Sequence, residues 1–70
     1  MSHTELTWEP LSSSHVAAMS VNEGTLYIQY TNGSIYEVEA SDEEAQGLRN
    51  AASPGRYLRL MFQGRLSRLS

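Results

Sequence analysis

The sequence predicts an α+β domain: a three-stranded antiparallel β-meander followed by one α-helix and a C-terminal extended segment or short strand. Three observations carry this. Turns centred on glycine and asparagine, Asn22-Glu23-Gly24 and Thr31-Asn32-Gly33, divide a stretch rich in β-branched and aromatic residues. Around them apolar and polar positions alternate with the period of a half-buried strand. A capping signature, Ser41 answered three residues later by Glu44, then opens a segment with helical spacing.

The first strand runs from Val16 to Val21, with Val16, Ala18 and Ser20 on one face and Ala17, Met19 and Val21 on the other. The second is Thr25 to Tyr30 and the third Ser34 to Ala40. The Asn-Gly pair suits a two-residue type I′ turn, but that register sets Leu26, Ile28 and Tyr30 on the same face as Glu37 and Glu39. A three-residue loop, Thr31-Asn32-Gly33 with Gly33 left-handed in a bulge, sets them beside Tyr36 and Val38 instead. That is the core face, and Tyr27, Gln29, Ile35 and Glu37 lie on the other.

The helix follows Ser41, with Asp42 and Glu43 at the positive end of its dipole and Arg49 in its last turn. Ala45, Leu48 and Ala52 form its apolar stripe, and Ser53-Pro54-Gly55 ends it. Arg56 to Phe62 reads as an extended segment, Leu58, Leu60 and Phe62 on one side and Tyr57, Arg59 and Met61 on the other. This leaves residues 1–9 as an N-terminal arm, 10–66 as one domain, and 67–70 as a tail.

With 70 residues, the domain buries only about 60% of the surface its unfolded chain exposes. Without cysteine, and with His3 and His15 as the only histidines, neither disulfide nor metal is expected to supplement the core, which leaves self-association into a homo-oligomer. His3 and His15, even with Glu5 and Glu9 nearby, lack a recognised zinc spacing, and no cofactor motif is present. No apolar run approaches a membrane span and no leader pattern opens the chain, so a cytoplasmic location is expected.

Charge is segregated along the chain. All eight acids fall between Glu5 and Glu44, and all five arginines from Arg49 onward, for a net charge of −3. Such a chain can hold phosphate with its basic segment or dock that segment on the acidic half of another copy. A nucleophile needs a base within hydrogen-bond reach, and the local candidates, Ser12, Ser13 and Ser14 beside His15, read instead as makers of local backbone hydrogen bonds. The pair Glu37 and Glu39 and the run Asp42 to Glu44 read as solvated edges; the latter keeps phosphate from the usual anion site at the helix start. Binding is the reading that survives. Arg56 and Arg59 flank Tyr57 with Arg49 close by, a set that can grip a phosphate and stack a base, with Tyr27 as a second platform. The plainer reading is an arginine-flanked protective edge. Trp8 either folds over the core or enters a partner, and Glu37 and Glu39 are the acids such a partner would meet.

Three stretches, Pro10-Leu11-Ser12-Ser13-Ser14-His15-Val16, Leu26 to Tyr36, and Ala52-Ser53-Pro54-Gly55-Arg56-Tyr57-Leu58, together resemble the successive signatures of the KTSC domain. The resemblance covers residues 10–66. It departs where the family's central Tyr-x-Tyr is Tyr36-Glu37-Val38 and its Val-Pro before the helix is Ala40-Ser41. KTSC domains occur at the C-terminus of some lysyl-tRNA synthetases and as stand-alone bacterial and phage proteins, with RNA binding suggested. The resemblance thus implies a small bacterial or phage protein, in the host cytoplasm if phage-encoded. The expectation is a non-enzymatic module for RNA, another single-stranded nucleic acid or a nucleotide, since the net charge disfavours tight duplex binding. The alternative is a protein-interaction or self-assembly module built on the opposite charges of the two halves.

Overall fold

The structure is a computed structural model that describes residues 6–69. His3, Glu5 and Ser70 lie outside the described residues, and with them the metal reading and the outer parts of the predicted arm and tail. Among the described residues one antiparallel sheet holds five strands in sequence order: β1 (Glu9–Pro10), β2 (Val16–Asn22), β3 (Thr25–Tyr30), β4 (Ile35–Glu39) and β5 (Ser67–Arg68). Helices α1 (Asp42–Arg49) and α2 (Pro54–Met61) stand between β4 and β5. Both helices pack on one sheet face, where Val16, Met19, Leu26, Ile28 and Val38 meet Ala45, Leu48, Leu58 and Phe62. None of these helices is long and apolar enough to cross a membrane.

The α+β class and the central meander are as expected, and so is its loop. Leu26 faces Val38 and Ile28 faces Tyr36, the register of a three-residue connection. Gly33 has φ +95°, the Tyr30 N–H donates to Ser34 O at 2.9 Å, and the Gly33 N–H donates to Tyr30 O at 2.9 Å. One face assignment is corrected. A bulge at Ala17 separates the pairs Val16–Tyr30 and Ala18–Gln29, and the extra residue shifts the side-chain phase. Val16 therefore joins Met19 in the core rather than sharing the outer face with Ala18 and Ser20.

The first helix begins as its capping box dictates: the Glu44 N–H donates to Ser41 Oγ at 3.1 Å, and the Ser41 N–H donates to Glu44 Oε1 at 3.0 Å. It ends at Arg49, so Ala52 is exposed in the link instead of extending the apolar stripe. The segment from Arg56 to Phe62 is helical and not extended. Pro54 opens this second helix, because the first helical position needs no N–H and proline's fixed φ suits it. Pro54, Leu58 and Phe62, four residues apart, are buried, whereas Leu60, placed with Leu58 and Phe62 by alternation, is 70% exposed. Two short outer strands extend the expected meander. Glu9 pairs with Met19, and Arg68 with Tyr36, so the described ends of the arm and tail are sheet edges. Two-residue strands offer too short a period for sequence to reveal.

Candidate functional site

Folding brings the two charged halves together and leaves two arginines over. Arg49 forks onto Glu9, its Nε donating to Oε1 at 2.7 Å and Nη2 to Oε2 at 2.9 Å, while Nη1 donates to Gln46 Oε1 at 2.8 Å. The Arg49 hydrogen bond holds the Glu9 carboxyl below its ordinary range, and the reverse effect raises Arg49. Arg65 spans the other end of the helices. Its Nη1 donates to Glu44 Oε2 at 3.3 Å and to Met61 O at 3.1 Å, its Nη2 to Glu39 O at 3.0 Å, and its guanidinium lies 4.8 Å from the centre of the Phe62 ring. Arg68 sits at the sheet edge opposite Tyr36. Arg56 and Arg59 are exposed on α2, and the side chain of neither makes a hydrogen bond or ion pair with the described residues.

The residues singled out from sequence divide accordingly. Arg56 and Arg59, three apart on a helix, share one side. Tyr57 does not join them: its hydroxyl donates to Glu44 O at 3.0 Å and its ring meets Phe62 edge-on at 6.1 Å, between the helices. Arg49 is engaged by Glu9. Tyr27 belongs to the other sheet face, between Ser20 and Glu37 in register. Continuing the β1–β2 register by one step sets half-buried Trp8 beside Ser20, so Trp8, Tyr27 and Glu37 form a row on that outer face. Glu39, two residues beyond Glu37, is exposed at the strand end.

What surrounds Arg56 and Arg59 is a cleft of about 400 Å³ between residues 12–15 and the start of α2, walled by Tyr30. Its loop is fastened. Ser13 Oγ accepts the backbone N–H of both His15 and Val16 at 3.2 Å, which is the local role anticipated for the serine run. The Thr31 N–H donates to His15 O at 2.9 Å and Thr31 Oγ1 to Ser14 O at 3.3 Å. On the opposite wall no side chain caps α2 and no acid stands in its first turn, unlike α1 with its three acids. The cleft thus faces a ligand with two guanidinium groups, hydroxyls, an imidazole and an uncapped helix start, a set suited to an anion. Tyr30 stays neutral, since burial first and Tyr36 second lift its phenol above the usual range. Sequence reasoning missed Tyr30 and Ser53 as lining. The signal was Pro54: read as the first residue of a helix, it places Arg56 and Arg59 together and turns Tyr57 inward.

The acids gather at the other end of the sheet. Glu23 lies in the β2–β3 turn, and Glu39, Asp42 and Glu43 flank the β4–α1 junction, which the Ala40 N–H ties to Gly24 O at 3.1 Å.

Comparison with known proteins places the fold. The chain superposes on the crystal structure of a KTSC domain protein from Yersinia pestis with a TM-score of 0.79 and 22% identity, over 93% of this chain and 96% of that one. The fold is therefore KTSC-like, as the sequence resemblance implied. No protein-family profile matches the chain, and no curated protein matches it.

Proposed function

We propose that this domain is a non-enzymatic binding module that holds a phosphate of single-stranded RNA, or of a nucleotide, in the cleft between residues 12–15 and α2. The observation that carries the reading is the pair Arg56 and Arg59, exposed and without an ion-pair partner among the described residues, while Arg49 and Arg65 are taken up by Glu9 and Glu44. Unpaired guanidinium forks beside hydroxyls and a helix start suit a planar, multidentate anion. The RNA binding suggested for KTSC domains points the same way. Arg49, Tyr57 and Tyr27 drop out as contacts, and Tyr30 takes the aromatic position. The test is titration of the protein with a short single-stranded RNA: binding should weaken steeply with salt and vanish in Arg56→Glu/Arg59→Glu. Undiminished binding by that variant would refute the site.

A second reading rests on one further observation, the acids clustered at the end of the sheet away from Arg56. Opposite poles on one molecule can join head to tail into an oligomer, a contact that grows chains unless it closes. The same double variant separates the two readings, since it would then dissolve an assembly instead of losing a nucleic acid.

A further inference from the structure

Tyr30 is a wall shared by two depressions. On one side is the cleft of Arg56 and Arg59; on the other a groove of about 350 Å³ runs along the β3–β4 turn between Tyr30, Asn32, Ser34, Tyr36 and Leu66. We infer that this groove receives the base of the nucleotide following the one whose phosphate is held in the cleft, so that the ligand is a single-stranded dinucleotide step and not an isolated mononucleotide or a duplex. The inference rests on the phosphate reading above and adds the second subsite.

Its walls have the chemistry of a base platform. Tyr30 and Tyr36 meet edge to face, with ring centres 5.4 Å apart and planes at 88°, so two aromatic planes at right angles line one groove. A flat base can stack on one while its edge meets the other, and such stacking tolerates any base. Half-buried Leu66 adds apolar surface. Asn32 Oδ1 accepts the Ser34 N–H at 2.9 Å, which orients the side chain and leaves its amide hydrogens as donors for a base edge. The order of groups across the surface is thus the arginine pair, then two aromatic rings, as suits a phosphate followed by a base. A duplex would hide its base faces from both tyrosines.

The experiment compares adenosine 5′-monophosphate with the 5′-phosphorylated adenylyl dinucleotide on the full chain, by calorimetry and by the ring-proton shifts of Tyr30 and Tyr36. The dinucleotide should bind roughly five- to a hundredfold tighter, the range that stacking one base supplies. Tyr36 ring signals should move with the dinucleotide only. Tyr36→Leu should bring the dinucleotide down to the affinity of the mononucleotide without altering the latter, and Tyr36→Phe should restore the difference. The ring-shift comparison needs no variant, so it decides the matter even where Tyr36→Leu folds poorly. Equal affinities, or a Tyr36 ring indifferent to the dinucleotide, would overturn the second subsite while leaving the phosphate cleft standing. Failure of both ligands to bind would overturn the cleft and the groove together. A phosphotyrosine peptide that outcompetes the dinucleotide would assign the groove to protein instead.

Discussion

Single residues in this domain act through opposite physical routes, and two glycines separate them. Gly33 has φ +95° and nothing within 4 Å of a built β-carbon, so its requirement is purely one of backbone conformation. Gly33→Val should lower stability by about 1–3 kcal/mol, read from chemical denaturation; parental stability would contradict the bulged loop. Gly47 has no such φ, and its position within α1 makes alanine the better helix former by about 1 kcal/mol. A β-carbon there, however, would run into the Tyr57 hydroxyl and ring. Because Tyr57 is anchored on Glu44 O and packed on Phe62, the ring has to leave that site. Gly47→Ala should therefore destabilise, by about 1–3 kcal/mol. A gain in stability would mean that Tyr57 is not the post on which the helices rest.

At the scale of elements, the junctions decide most of what can be tested. The α1 start is held by a carboxylate that also receives Arg65, and β1 is held to α1 by Glu9 and Arg49. The Glu44 carboxyl lies below its ordinary value of 4.5, chiefly through the Ser41 N–H and next through Arg65. Glu9 lies below it too, chiefly through its hydrogen bond with Arg49. Depressed folded values make these contributions complete above the unfolded value and lost as pH falls through the folded ones. The melting temperature should accordingly fall below about pH 4.5, modestly because both pairs are partly solvated, and the double variant Glu9→Gln/Glu44→Gln should show a flatter acid limb. An equally steep limb in that variant would transfer the effect to other acids. The same junctions mark how far the sequence could be read. The meander, its loop and the α1 cap are local, each encoded in a few adjacent residues, and were legible. The bulge at Ala17 was not, since Val-Ala-Ala-Met contains no glycine or polar residue to signal a phase shift. Residues 56–62 alternate and repeat at helical spacing at once, and only the choice of Pro54 as a beginning rather than an end resolves them. Within the candidate site, Arg56 and Arg59 were legible from charge, but their companions were not. The cleft is made where the β1–β2 loop, the β3–β4 turn and the start of α2 converge, and that convergence is tertiary.

For the whole molecule, the charge segregation along the chain becomes a segregation in space. The domain measures 34 × 25 × 21 Å. Acids at the β2–β3 and β4–α1 end and unpaired arginines at the other give a field that repels a polyanion from one end and draws it to the other. Replacing Arg56 and Arg59 by glutamate should reverse the attractive end with little change in folding, because exposed charges contribute little to stability. The expected outcome is an unchanged melting temperature, an unchanged sedimentation profile and complete loss of binding to single-stranded RNA. If the arginines serve assembly instead, sedimentation should show the parent's oligomer dissociating in the variant, and charge reversal at Glu39, Asp42 and Glu43 should rebuild it with the poles exchanged. The small size of the domain makes self-association the natural supplement to its core in either case, so the parent's melting temperature should rise with protein concentration. A variant that keeps RNA, keeps its sedimentation profile and melts like the parent would reduce the basic end to a solvated surface, and both functional readings would fall with it.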